Sequence, residues 1–261
     1  MNIHAIEEIK DTATGSRPVL AIRLGRGRTG GTTVLDFLVQ RARSRGTTIK
    51  IADGDRRNAT LSELSPIGQP GGALRPEGTE IGDVAEWVTE VVSQMAEEQV
   101  SMVLDMGAGD EVLEAHAKQM NLGEFCEASG IALLAIYTLG PRPADLHHAL
   151  GIHEKGYVQS ERTLFVANES LVENGKGAGG AFDFLMEDPR YREIEENIRA
   201  IRMPKLACME TMRDERLSLY EAIEGKPGAS GRPMSLGQQV IIRTWINRME
   251  QRLAPVEGWL P

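Results

Sequence analysis

Residues 19–64 constrain this chain most. Val19-Leu20-Ala21-Ile22-Arg23-Leu24 is an apolar strand, and Gly25-Arg26-Gly27-Arg28-Thr29-Gly30-Gly31-Thr32-Thr33 is a glycine-rich turn. An amphipathic run follows to Arg45, and a second strand, Ile49-Lys50-Ile51-Ala52, leads into Asp53-Gly54-Asp55. Strand, glycine turn, helix, strand and acidic turn, in that order, make a parallel crossover unit. Glycines let the turn curl so that several backbone N–H groups face one concavity. The helix that starts at Thr32 aims its positive end at the same place, so the turn is built for a phosphate.

The usual phosphate loop reads G-x-x-x-x-G-K-[ST]. Gly25, Gly30 and Thr32 stand at the matching positions, but Gly31 replaces the lysine that normally reaches the β- and γ-phosphates. Arg23, Arg26, Arg28, Arg56 and Arg57 cluster around this segment. Residues 1–60 carry eleven Lys/Arg against six Asp/Glu, although the whole chain of 261 residues has a net charge of -9. That overall charge excludes a general nucleic-acid binder.

Two segments resemble the ParA/MinD family of deviant Walker ATPases. Gly25 to Thr33 is similar to that family's loop, K-G-G-x-G-K-[ST]-[ST], with Arg26 at the position of its signature lysine. Asp53-Gly54-Asp55-Arg56-Arg57-Asn58-Ala59-Thr60-Leu61 resembles its switch I, D-x-D-P-Q-G-N-A-T-L, with Arg56-Arg57 in place of Pro-Gln. Tyr220-Glu221-Ala222-Ile223-Glu224-Gly225-Lys226-Pro227 resembles the closing E-A-x-x-x-G-K-P pattern at lower specificity. The resemblance implies ATP and Mg²⁺ as ligands and a face-to-face homodimer. In it, Arg26 would reach across that dimer and Asn168, which ends a strand, would bond the adenine.

Further along, Val100-Ser101-Met102-Val103-Leu104 delivers Asp105 to the end of an apolar strand, ahead of Met106-Gly107-Ala108-Gly109-Asp110. A carboxylate so placed holds a Mg²⁺ shell or its water. Strands are also expected at Ile131–Tyr137, Arg162–Ala167 and Met203–Ala207. Helices are expected after Gly82 (Val84, Trp87, Val88, Val91, Val92, Met95), at Glu111–Gln119 and at Tyr191–Ile201. In the first helix Val34, Leu35, Leu38 and Ala42 form the apolar stripe, with Asp36, Arg41 and Arg45 elsewhere on the wheel. Ser65 to Gly82 reads as a long Pro/Gly-rich loop, open to either a passive or a functional role, and Gly175 to Gly180 as a second loop. His147, His148 and His153 have no third ligand at metal-binding spacing.

Residues 1–17 form an N-terminal arm in which Ile3, Ala5, Ile6 and Ile9 are the apolar positions. The tail 226–261 is basic, with five Lys/Arg against two Asp/Glu. Its helix is expected to bury Val240, Ile241, Trp245, Ile246 and Met249 and to project Arg243, Arg248 and Arg252 as a DNA-binding face. Cys126 and Cys208 read as buried free thiols of a cytoplasmic protein. Neither a secretory signal nor an apolar run of membrane-spanning length is present in the sequence.

The expectation is one domain over 1–261: an α/β, doubly wound, mainly parallel sheet with helices on both faces, P-loop NTPase-like, its ligand at the carboxyl ends of the strands. Backbone amides of Gly27 to Thr33 would hold phosphates, Thr32, Asp53 and Asp105 the metal, and Asp55 the attacking water. Two functions stay open. One is an ATP-dependent dimerising switch for plasmid partition or transfer, working with an adaptor protein and non-specific DNA. The other is a non-hydrolysing relative kept as an interaction module, because losing the loop lysine removes a cation where electrostatic stabilisation matters most. A metabolic ligase or kinase fits the missing lysine less well.

Overall fold

Six parallel strands lie side by side in the order β2-β3-β1-β4-β5-β6 in the computed structural model, which describes residues 17–108, 110–173 and 179–261. They are β1 (Val19–Leu24), β2 (Ile49–Asp53), β3 (Ser101–Asp105), β4 (Ala132–Leu139), β5 (Arg162–Asn168) and β6 (Ile198–Met203). Every pairing is parallel. The expected doubly wound α/β sheet is therefore present, and it is parallel throughout the described residues.

β1 shows why the sheet is covered on both faces. Its side chains alternate, as strand geometry requires. Val19 and Ala21 face one core with Val34, Leu35 and Leu38 of α1 (Gly31–Ser44), while Leu20, Ile22 and Leu24 face the other with Val84, Val88 and Val92 of α2 (Ile81–Glu98). A strand buried on both faces is an apolar run, and one charge inside it, Arg23, stands out. The C-terminal helix (Leu236–Leu253) lies on the α1 face, where Trp245 meets Phe37 edge-on with ring centroids 5.3 Å apart.

β1 lies between β3 and β4; the chain passes from β1 to β2 and back to β3 on one side, then crosses to β4 on the other. Crevices for ligands form outside the carboxyl ends of strands at such a switch point. The Ser65–Gly82 segment is not a passive connection. Leu74 pairs with β2, donating its N–H to Ile51 and accepting from Asp53, and so covers the exposed edge of the sheet. Arg75 ties the same segment to the Asp55 carbonyl at 3.1 Å.

Several sequence expectations change. The strand expected at Met203–Ala207 lies earlier, at Ile198–Met203, and the helix expected to reach Ile201 ends as a short Pro189–Ile194 turn of helix followed by a 3₁₀ turn. β6 is an edge strand with Arg199 and Ala200 exposed, so its residues lack a buried strand's apolar continuity. Val240 and Ile241 are not part of the buried side; they are 61% and 43% exposed, while Ile242, Trp245, Ile246 and Met249 are buried. The buried stripe, Ile242, Trp245, Ile246, Met249 and Leu253, keeps three- and four-residue spacing and leaves out Val240 and Ile241, while a Ser235–Gln238 capping box starts the helix.

Arg41 is the larger departure. It is 2% exposed, its guanidinium bonded to Glu250 (3.0 Å) and Glu257, and Arg45 bonds the same two carboxylates (2.9 and 2.6 Å). Burial alone would lower the Arg41 pKa, but bonds to Glu257 and Glu250 outweigh it and hold the cation above its ordinary value. The two acidic residues of the basic tail thus clamp it to α1. Cys126 and Cys208 are free and buried; burial raises both thiols, that of Cys126 to about 12. No helix among the described residues is long and apolar enough to cross a membrane, and no group of three metal-ligating side chains occurs among them. The N-terminal arm up to residue 16, Gly109, and residues 175–178 of the second glycine loop lie outside the described residues.

Candidate functional site

The turn after β1 is shaped by positive φ. Gly25 has φ 102° and Gly30, the residue before α1, φ 92°; Arg28 adopts φ 64°, uncommon for a side-chain-bearing residue. The left-handed steps turn the chain back over the carboxyl end of β1 and into the first turn of α1, whose N–H groups have no partner inside the helix. Thr29 is buried and braces the turn from within. Its hydroxyl donates to the Arg26 carbonyl at 2.8 Å and lies 2.7 Å from the Thr138 hydroxyl on β4.

Thr32 and Asp105 meet. The Thr32 hydroxyl donates to Asp105 Oδ2 at 2.7 Å, and Asp105 Oδ1 accepts the Gly107 N–H at 2.8 Å. Asp53 is fully buried. Its Oδ2 accepts both the N–H and the hydroxyl of Ser62 at 2.8 Å, and its Oδ1 the N–H of Asp55 at 3.1 Å. Desolvation raises its pKa, against the opposing pull of the Ser62 bonds. Asp53 therefore fastens the start of the 60–64 helix; neither it nor Asp105 lines the cleft, which Asp105 reaches through its bond from Thr32. Asp55 does line that cleft; its Oδ1 accepts the N–H groups of Arg57 (2.8 Å) and Asn58 (2.9 Å). The turns after β2 and β3 are stitched together, since Gly54 donates to the Asp105 carbonyl at 2.8 Å. A Cβ on Gly107 would stand 2.4 Å from the Asp55 carboxyl, so glycine is required there.

The cleft holds about 390 Å³. One end is the glycine turn with Arg28, Thr32 and Thr33; the acidic side is Asp55; the other end is apolar, with Leu171, Met203, Pro204, Leu206, Met209 and Trp245. Asn168, at the end of β5, is buried beneath the turn. Its amide N–H donates to the Thr29 carbonyl at 3.0 Å, and its oxygen accepts from Ser170 N–H (3.0 Å) and hydroxyl (2.6 Å). Gly30 passes so close that a Cβ there would lie 2.2 Å from the Asn168 amide nitrogen.

Gly27, Arg28, Gly30 to Thr33, Asp55 and Asn168 are thus brought together at the cleft, with Asp105 joined to it through Thr32. Arg26 turns away from the cleft and pairs with Asp145, near the start of the helix Pro143–Lys155, at 3.1 Å. Arg243 and Arg248 are exposed on the C-terminal helix, and Arg252 pairs with Glu169 at 3.7 Å. Arg41, Arg43 and Arg45 of α1 do not form one open basic surface, because Glu250 and Glu257 occupy Arg41 and Arg45. His147 lies 3.3 Å from Asp188.

Two arginines escape the motif reading. Arg213, from the short Met209–Asp214 helix, donates to the Thr33 hydroxyl at 3.0 Å and lines the cleft. No local pattern announces it. Arg23 is announced, as the lone charge in β1. It is 3% exposed, donates to the Gly107 and Arg26 carbonyls and to the Thr29 hydroxyl (3.2 Å), and stands 3.9 Å from Asp105.

No protein-family model and no curated protein sequence matches the chain. Solved structures do. A nucleotide-binding protein of Archaeoglobus fulgidus in complex with ADP is 14% identical, with 77% of this chain and 86% of that chain covered and a TM-score of 0.44. The cell division protein FtsY of Thermotoga maritima is 16% identical, with 89% and 69% covered and a TM-score of 0.48. The signal recognition particle receptor FtsY of Elizabethkingia anophelis is 13% identical, with 88% and 66% covered and a TM-score of 0.46. At these values the likeness concerns the fold and says nothing of activity.

Proposed function

We propose that the cleft binds a nucleoside triphosphate with Mg²⁺ and that the chain is a nucleotide-dependent switch. The carrying observation is the Thr32–Asp105 bond at 2.7 Å beside a positive-φ glycine turn. A hydroxyl and a carboxylate so joined are the pair that holds Mg²⁺ beside phosphates in loops of this kind. The apolar end of the cleft suits a base. Thr32 and Asp105 would hold the ion, directly or through water, while amides of Gly27 to Thr33 take the phosphates. Asp53, buried behind them, would support the metal site indirectly by fixing the switch I turn. Asp55 would orient water if hydrolysis occurs.

The ParA/MinD resemblance extends the proposal. ATP would favour a homodimer, in which Arg26 leaves Asp145 to cross the interface. An adaptor protein and non-specific DNA, the latter through Arg243 and Arg248, would read the state in plasmid partition or transfer in the cytoplasm. Asn168 bonds inside its own chain, so contact with adenine would come by an exchange of those bonds.

The non-hydrolysing reading keeps a specific support: Gly31 removes the loop lysine, and the Asp55 carboxylate serves the Arg57 and Asn58 amides. Binding of ATP and ADP with Mg²⁺, measured beside phosphate release, separates the readings. Binding with release supports the switch ATPase, and binding without release the interaction module. No binding at all sinks the nucleotide proposal.

A further inference from the structure

Gly31 leaves more than a missing side chain. A Cβ built on it would lie 2.1 Å from Arg23 Nε and 2.7 Å from both Cγ and Cδ. The Arg23 side chain thus runs through the space in which any side chain at residue 31 would begin. The two residues come from different elements, the penultimate position of β1 and the first position of α1. The usual loop lysine starts from residue 31 and curls toward the phosphates; here a cation of the same sign enters that space from the strand.

Its partners place it at the phosphate end. The guanidinium bonds the Arg26 carbonyl and the Thr29 hydroxyl inside the turn, and the Gly107 carbonyl in the turn after Asp105. These bonds join the glycine turn and the turn after Asp105 on one guanidinium. The same side chain lines the cleft.

We infer that Arg23 is the cation that replaces the loop lysine, and that Arg23 and Gly31 act as one unit, glycine being the condition for the arginine. This rests on the reading of the cleft as a nucleotide site. The ligand it serves is the triphosphate, and its link to Gly107 makes the turn after Asp105 sensitive to whether phosphate is bound. Arg28 at the rim and Arg213 at Thr33 are exposed helpers; Arg23 is the buried one.

The test is titration of the full chain with Mg²⁺-ATP, Mg²⁺-ADP and inorganic triphosphate, beside thermal melting of each variant. Arg23→Gln keeps hydrogen-bonding ability and removes the charge, and it should weaken ATP and triphosphate by about ten- to a hundredfold, the range for a lost charged hydrogen bond. Gly31→Ala leaves the arginine in place chemically but pushes its side chain out, and it should weaken binding in the same direction. The decisive variant is Arg23→Leu with Gly31→Lys, which moves the cation to residue 31. Recovery of triphosphate binding relative to Arg23→Leu alone is expected, because a merely structural arginine would not be rescued by a lysine on another element. Wild-type affinity in Arg23→Gln, or no recovery in a double variant that melts like wild type, overturns the inference alone. Failure of the wild-type chain to bind ATP or triphosphate overturns the cleft reading and the inference with it.

Discussion

Arg23 and Arg41 are equally buried, at 3% and 2% exposure, and do opposite things. Arg41 faces two carboxylates that also bind Arg45, so it joins α1 to the C-terminal helix and the turn after it. Arg23 spreads its bonds over two carbonyls and a hydroxyl of two glycine turns, with Asp105 near by. A buried cation bonded to carboxylates makes a joint; one bonded to loop carbonyls shapes a surface beside it. Burial alone therefore does not say which arginine is functional. The chemistry of the acceptors does.

The comparison is easiest to break at the joint. Arg41→Ala should cost about 2 kcal/mol of stability, since it empties a buried site and removes the bonds to Glu250 and Glu257, which keep only Arg45. Urea denaturation measures it, and the remaining folded protein should keep its nucleotide affinity. A loss below about 1 kcal/mol would place Arg41 among ordinary surface pairs. At the cleft, Asp55→Ala should leave ATP affinity within about threefold while any phosphate release falls about a hundredfold, the scale of a lost general base. Equal loss of both would make Asp55 structural.

Asp105→Asn sharpens the cleft side further. It should remove the Mg²⁺ dependence of ATP binding and weaken the complex by about tenfold, as expected for one charged contact. Unaltered Mg²⁺ dependence would move the ion elsewhere. A smaller effect is expected from pH on the joint. The Glu257 pKa is lowered from 4.5, first by its bond to Arg41 and against some desolvation. A carboxylate with a depressed folded pKa adds stability that is present above 4.5 and lost as pH falls through the folded value. Glu257→Gln should therefore be destabilising at neutral pH, by about 0.5 kcal/mol for so exposed a group, and should flatten the acid limb of the melting profile. A profile parallel to wild type would mean that Glu257 contributes nothing. The smallest effect is expected at Arg248: Arg248→Glu should reduce the salt slope of duplex binding by about one unit per contact, read by mobility shift with ATP. A slope equal to that of wild type would exclude Arg248 from any DNA face.

The core strands were legible because burial on both faces writes a continuous apolar run. β1, β2, β3, β4 and β5 lie within a residue or two of their expected positions. β6 was not, because an edge strand with exposed Arg199 looks like the charged helix before it. That a glycine turn follows β1 and that Asp105 ends β3 was legible from the pattern of apolar runs and glycines. Arg213 was not, since only the tertiary fold brings residue 213 to Thr33. Arg41 was misleading, because a helical wheel assigns it to the polar face and does not know that Glu250 and Glu257 will arrive. Val240 and Ile241 failed in the reverse sense, apolar yet left exposed on the first turns of their helix.

The steric relation between residues 23 and 31 also makes the two positions interdependent. With Arg23 in its present course, even a methyl group at 31 collides with it at 2.1 Å. A side chain at 31 and this arginine cannot share the space, so adding one alone should evict the other. The two positions are therefore coupled: the cost of changing both should differ from the sum of the two single costs, which a double-mutant cycle reads.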